Sequence, residues 1–259
     1  TPTELVFRFF LFAVCNAVAF GMPMLETGGE AVFWKKIIIR TLLIFGIGLF
    51  LNWFPFIKYD DAGKLVGKPF ENLRIFGVLQ RIALCYGIAS LMLYFLKPKL
   101  TVIISIGLLV LYWGLCFWFG DVYDPLSLQG NAGLKFDLWL MGEPHLYHGE
   151  GVAFDPEGWL STLPSIVNVV AGFVVGQYVQ KKIHTNNEAA RSNAYEGLSK
   201  LILAGFALLI IAYFWNFIFP INKKLWTSSF VLHTVGLHDF RRCYLYSGHT
   251  KKNPLGRLF

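Results

Sequence analysis

The sequence predicts an all-α, polytopic transmembrane helix bundle with about six full spans and one truncated span. Three observations predict it. Hydrophobic residues make up 55% of the chain and charged residues only 15%, a composition from which a water-facing surface is hard to build. Apolar stretches of about 18–22 residues recur, each long enough at 1.5 Å per residue to cross a hydrocarbon layer about 30 Å thick. Lysines and arginines sit in the short polar segments between them, where they set orientation. The net charge of +7 therefore does not indicate nucleic acid as a partner; the partner is the lipid bilayer.

The spans follow in order. Residues 5–22 form the first, opened by Thr1-Pro2-Thr3-Glu4. There Thr1 or Thr3 can cap the helix, Pro2 suits its first turn and Glu4 favours the positive end of its dipole. Lys35-Lys36 precede a second span at 37–54, which Pro55 stops. The third, 75–96, carries Gln80 and Arg81 inside it. Lys97-Pro98-Lys99 is a tight turn, so the fourth span, 100–119, should lie antiparallel to the third. Trp159 opens a fifth span at 159–179, crossed by Pro164 and Asn168, and the sixth occupies 198–219. The next apolar run, 225–237, is too short to cross, and 238–259 is a basic, aberrant tail without helical periodicity. The membrane domain is thus residues 1–237.

Residues 120–158 are the longest polar interval. Asp121, Asp124, Asp137, Glu143, Glu150, Asp155 and Glu157 stand there against Lys135 alone. Trp139, Tyr147 and Phe154 argue for a folded cover rather than a disordered loop. With this acidic interval placed outside, about twice as many basic residues fall inside as outside, which puts the first residue of the chain outside. The cysteines Cys15, Cys85, Cys116 and Cys243 show no paired spacing and imply neither disulfide nor metal. A single chain or a homodimer would satisfy this pattern equally.

Several residues stand out as candidate ligand contacts. An arginine at lipid depth costs at least about 2.5–3.5 kcal/mol, so Arg81 should face the bundle interior with Gln80 as a neighbouring donor, or else snorkel to the surface. His145 and His148 lie between Pro144 and Gly149; no third ligand is fixed by spacing, so loop hydrogen bonds or a substrate contact are expected rather than a metal. Asp155 and Glu157 precede the fifth span. They can cap its N-terminus, or pair with Arg81 or Arg74 across the outer cavity. Asn168 can serve as interhelical glue or as a ligand. Asn222, Lys223 and Trp226 lie on the same outer face, as an interfacial anchor or as part of the site.

Together these residues carry a resemblance. Leu73-Arg74-Ile75 with Gly77-Val78-Leu79-Gln80-Arg81, then His145-Leu146-Tyr147, Asp155-Pro156-Glu157-Gly158 and Asn222-Lys223 with Leu225-Trp226 are similar to motifs of the heparan-α-glucosaminide N-acetyltransferase family and its bacterial relatives. The likeness extends from Thr1 to Gly236 and keeps the family's motif order. Thr1 to Phe12 resembles the family's helix start, with Glu4 where Asp is usual and Arg8 where Pro is usual.

The resemblance implies a membrane acyltransferase of the bacterial inner membrane that uses acetyl-CoA to acetylate an amino-sugar amine on the opposite side. It also implies a catalytic histidine just ahead of Thr1; none of this chain's histidines matches it. The chain is therefore expected to be an internal fragment without a catalytic residue and without turnover. The alternative is a transporter or binding protein for a polar sugar or cell-wall precursor that uses the same outer cavity.

Overall fold

The computed structural model describes residues 28–59, 63–149, 151–183 and 188–251. The expected first span, 5–22, with Arg8 and Asn16, lies outside the described residues. Within them the chain is helical, with one small hairpin. Helix α1 covers Glu30–Trp53, and strands β1 (Ile57–Tyr59) and β2 (Leu65–Gly67) pair antiparallel with Lys58 opposite Val66. Then come α2 (Val78–Phe95), α3 (Pro98–Phe119), the short α4 (Ala132–Met141), α5 (Trp159–Ile183), α6 (Glu188–Asn216) and α7 (Ser228–Lys251).

Four of these helices are long and apolar enough to cross a membrane: Val78–Phe95, Pro98–Phe119, Trp159–Gln180 and Glu196–Asn216. They coincide with the third to sixth expected spans. The chain is an integral membrane protein with an all-α bundle, and among the described residues, which exclude the first expected span, four of the other five expected spans are present. The second expected span is helical, yet its helix starts at Glu30 and includes Lys35, Lys36 and Arg40, and it is not one of the four. The stretch beyond 225 also departs from expectation. Lys223 to Trp226 form a turn, and the last helix, α7, then runs from Ser228 to Lys251, so residues 238–251 are helical although their sequence shows no helical periodicity.

Local chemistry sets several helix ends. Lys97 is extended, as a residue before proline must be, and Pro98 starts α3 with its fixed φ. The Asn131 side chain caps α4 by accepting the Leu134 N–H at 2.8 Å. Residues 73–77 are not helical, with Gly77 extended, so the helix bearing Arg81 begins only at Val78, three residues later than its apolar run. In α5, Ser161, Thr162 and Ser165 return their hydroxyls to carbonyls of the preceding turn, next to Pro164, which has no N–H to donate.

Helix α5 is the central post. Two-thirds of its membrane-length window (67%) is buried, against 22% for α6, and α2, α3, α6 and α7 all pack on it. The core between them joins Ile82, Cys85 and Ala89 to Leu109, Ile166, Val169, Trp226 and Phe230. A helix surrounded in this way can be apolar on every side. The outward faces are apolar too: Leu42, Leu43, Ile103, Trp118, Leu203, Phe214 and Phe217 are all exposed. On a soluble protein such a belt would promote aggregation; in a bilayer it is the lipid-facing surface.

Because successive helices alternate in direction, the 54–77, 120–158 and 217–227 connections meet at one end of the bundle. Residues 120–158 are folded there as a cover. Leu134, Leu146 and Phe154 bury against Leu225 of the α6–α7 connection, and the Asp121 N–H closes the 121–130 loop on the Gly130 carbonyl at 2.8 Å. The cover positions the polar residues around Arg74 and Arg81.

Candidate functional site

The polar cluster is built where the non-helical 73–77 segment meets the turn before α5. Arg74 grips that turn. Its Nε donates to Asp155 Oδ2 at 2.9 Å, and its Nη2 donates to Asp155 Oδ1 and to Glu157 Oε2, both at 2.7 Å. Asp155 also accepts the Glu157 N–H at 3.1 Å, which shapes the Asp155-Pro156-Glu157-Gly158 turn in the manner of an Asx turn. Tyr147 lies under the Arg74 guanidinium at 4.5 Å, and Asn52 of α1 holds the Arg74 carbonyl at 3.0 Å. Burial works against the Arg74 cation. The hydrogen bonds and negative charges of Asp155 and Glu157 outweigh it, so the Arg74 pKa is raised above its ordinary value.

Arg81, one helical segment further on, has no exposed surface. It does not snorkel. Its Nη2 donates to the Pro156 carbonyl at 2.6 Å and to the Ser161 hydroxyl, and its guanidinium lies 4.8 Å from the Trp226 ring centre. The cation is thus held by a backbone carbonyl, a hydroxyl and a π face. Asp155 and Glu157 pair with Arg74, so the expected ion pair to this turn is made by Arg74 rather than by Arg81. Arg81 Nε and Nη1 are buried and have no hydrogen-bond partner among the described residues. An unbonded buried donor costs on the order of 1–3 kcal/mol.

Gln80 is as buried as Arg81 but points elsewhere. It lodges against Gly48 of α1, where an added Cβ would come within 2.7 Å of its amide. The two neighbours are about 100° apart on the helix and serve different interfaces. His145 Nδ1 is 2.7 Å from the Leu73 carbonyl, and the Ile75 N–H returns to the His145 carbonyl at 3.3 Å. These contacts stitch the cover to the 73–77 segment. His148 Nδ1 lies 3.0 Å from the nearby Leu146 carbonyl. No group of three or more histidine, cysteine or acidic residues is placed to hold a metal among the described residues.

Asn168 lies deeper, where its Oδ1 accepts from Thr234 Oγ1 at 3.3 Å; this is a contact between α5 and α7. Asn222 builds the α6–α7 turn, its Oδ1 accepting the Lys224 N–H at 2.8 Å. The Lys223 carbonyl accepts the Trp226 N–H at 3.3 Å. Trp226 takes a positive φ of 55°, which turns its indole toward Arg81. The structure therefore gathers Arg74, Arg81, Asp155, Glu157, His145 and Trp226 at one place and sets Gln80 and Asn168 at helix interfaces.

Asp137 is the member of the cluster that sequence reasoning missed. It is 2% exposed, and its Oδ1 accepts the Trp159 N–H at 3.1 Å. It, rather than Asp155 or Glu157, caps the N-terminus of α5. A Cβ at Gly158 would overlap the Asp137 carboxylate, so only glycine lets the two elements close. Desolvation pushes the Asp137 carboxyl up to about 7 despite the Trp159 N–H; the charge of Asp155 adds to the rise and that of Arg81 opposes it. The available signal was a lone carboxylate within the otherwise apolar Phe136-Asp137-Leu138-Trp139 run.

No family model matches the chain. Two curated relatives do. The chain is 27% identical over 282 aligned positions to heparan-alpha-glucosaminide N-acetyltransferase of Homo sapiens, covering 89% of this chain and 40% of that protein. It is 27% identical over 279 positions to the same-named protein of Mus musculus, covering 89% and 41%. The chain spans about two-fifths of the length of these curated relatives. With an arginine-gripped turn over a bundle of membrane-length helices, and with this likeness over nearly nine-tenths of its sequence, the chain resembles the heparan-α-glucosaminide N-acetyltransferase family.

Proposed function

We propose that the chain forms the acceptor-side site of a membrane N-acetyltransferase in which an acetyl group passes from acetyl-CoA to an amino-sugar amine. The observation that carries this reading is Arg81: fully buried, one nitrogen engaged, and Nε and Nη1 without hydrogen-bond partners among the described residues. A ligand oxygen placed there removes a desolvation cost that the protein alone leaves standing. A carbonyl oxygen suits it well, because negative charge grows on that oxygen as an amine attacks, and preorganised donors stabilise it most at that moment. Bound acetyl-CoA would supply the thioester whose carbonyl that is; the orphaned Arg81 donors fit such an oxygen.

In this reading Arg74, Asp155 and Glu157 hold the turn over the cavity. Trp226 fixes the Arg81 plane, and the 143–148 turn with His145 and His148 borders the acceptor. We further place the face bearing residues 120–158 outside a bacterial inner membrane, on the distribution of lysine and arginine. The test is binding by the chain in nanodiscs, measured calorimetrically with glucosamine and with acetyl-CoA, for wild type and R81Q. A loss of at least tenfold in acetyl-CoA affinity in R81Q, with unchanged helicity, is expected. Sugar binding that is indifferent both to acetyl-CoA and to R81Q would contradict the reading and favour a transporter or binding protein.

A further inference from the structure

We propose that the β1–β2 hairpin rests on the membrane surface, with the face formed by Ile57, Tyr59 and Leu65 seated on lipid where headgroups meet acyl chains. The register carries the first step. Ile57 pairs with Gly67 and Tyr59 with Leu65, and cross-strand partners share a face while neighbours along a strand alternate. Ile57, Tyr59 and Leu65 therefore stand on one side of the ribbon, and Lys64 and Val66 on the other. The apolar side is open: Tyr59 is 73% exposed, Leu65 59% and Ile57 51%. A ribbon of two three-residue strands is marginal in water by itself and needs a surface to lie against.

The ribbon is fastened to the end of α1. The Trp53 indole N–H donates to the Lys68 carbonyl at 3.0 Å, and Lys68 Nζ donates to the Asn52 carbonyl at 2.9 Å. Phe70 packs on Trp53 with ring centres 4.4 Å apart. The end of the helix thus sets the height of the hairpin.

Lipid is the occupant that this position favours. Ile47, Phe50, Leu51 and Phe54 are exposed along the last turns of α1 and continue the lipid-facing belt toward the hairpin. Phe54 meets Phe56, just ahead of β1, edge to face with ring centres 5.7 Å apart. The apolar side of the ribbon is the next part of the same surface. Depth follows from the backbone. Among the described residues the sheet has two strands, so both its edges are open, and edge N–H and C=O groups are costly in hydrocarbon. Headgroups and their water can meet them, and tyrosine is favoured at that level. A second copy of the chain could cover the same face, but strands of three residues offer it few ladder bonds.

The seat on lipid reaches the polar cluster through Asn52. Its side chain donates to the Arg74 carbonyl at 3.0 Å while its own carbonyl holds Lys68, so the hairpin and the Arg74 segment share one anchor. Lipid under the ribbon fixes the level at which Arg74 meets the membrane boundary.

The experiment places the photoreactive residue p-benzoylphenylalanine at position 59, 65 or 64, irradiates the chain in nanodiscs and reads the adducts by mass spectrometry. Unchanged circular dichroism verifies the fold of each variant. Positions 59 and 65 are expected to capture lipid at least fivefold more than position 64, although all three are exposed. Chain-to-chain cross-links at 59 or 65 would give the face to a second copy and overturn the proposal. Equal lipid capture at 64 and 65, or none at 59 and 65, would overturn it as well. Hydroxyl-radical labelling of wild type supplies a reading without substitution: Tyr59 should be labelled at least fivefold less in nanodiscs than in the unfolded chain, and equal labelling would count against the seat on lipid.

Discussion

Asp137 shows how one buried carboxyl links stability to pH. Its pKa rises from an ordinary 3.8 to about 7, so between those values the folded chain holds a proton that the unfolded chain has released. Stability from this group is therefore greatest below about pH 4, falls as pH rises, and levels off above about 7. D137N lacks the dependence. Relative to wild type it should gain stability from pH 4 to pH 8, by up to roughly 4 kcal/mol for a shift of this size. Unfolding midpoints of both proteins in detergent across that range check the claim, and a pH-independent difference would contradict it. Arg81 is a different kind of residue: its side chain is wholly buried, and its Nε and Nη1 donors have no hydrogen-bond partner among the described residues. Its burial was legible, because a charge inside an apolar run must find a polar interior. Its partners were not, since the Pro156 carbonyl and the Ser161 hydroxyl leave no charge signature. The Asp155 and Glu157 pairing was legible as charge complementarity, but its assignment to Arg74 depends on residues 75–77 staying out of the helix.

Helix packing here is set by missing side chains. Gly236 of α7 meets Gly205 of α6: a Cβ at Gly236 would come within 2.8 Å of the Gly205 carbonyl and 2.9 Å of Leu209, and one at Gly205 within 3.1 Å of the Gly236 carbonyl. Backbone cannot yield as a side-chain tip can. G236V should therefore cost about 1–3 kcal/mol of unfolding stability through overpacking, whereas G107A in α3, with nothing within 4 Å, should cost nothing and gain a few tenths of a kcal/mol through helix entropy. Denaturant unfolding of the two variants in detergent separates these outcomes; equal effects would contradict the crossing. At this scale the sequence was informative about spans and poor at ends. Apolar runs placed α2, α3, α5 and α6 close to their helices, because lipid leaves the backbone no alternative to helix. Helix α7 ran through residues 238–251 against expectation: a helix anchored by buried Trp226, Phe230 and Val231 can propagate through a polar stretch at little cost per residue once nucleated.

The whole molecule is a bundle closed at one end by a cover, and one claim underlies the reading of that end. The segment 74–81 and the segment 155–161, some eighty residues apart in sequence, are joined by guanidinium groups into a single polar floor, over which a ligand would bind. Arg74 and Asp155 form the measurable joint, since the Asp155 side chain is wholly buried while that of Arg74 is 26% exposed. The partial exposure of Arg74 moderates the pair's strength, but removing Arg74 leaves the buried Asp155 charge without its principal partner. The most direct measurement is a double-mutant cycle on unfolding stability with R74M, D155N and the double variant. The account predicts a coupling of about 1–3 kcal/mol, each single variant being more damaging than its share of the double. Strict additivity, with coupling below about 0.5 kcal/mol, would mean that the two segments are not joined in this way and would contradict the account.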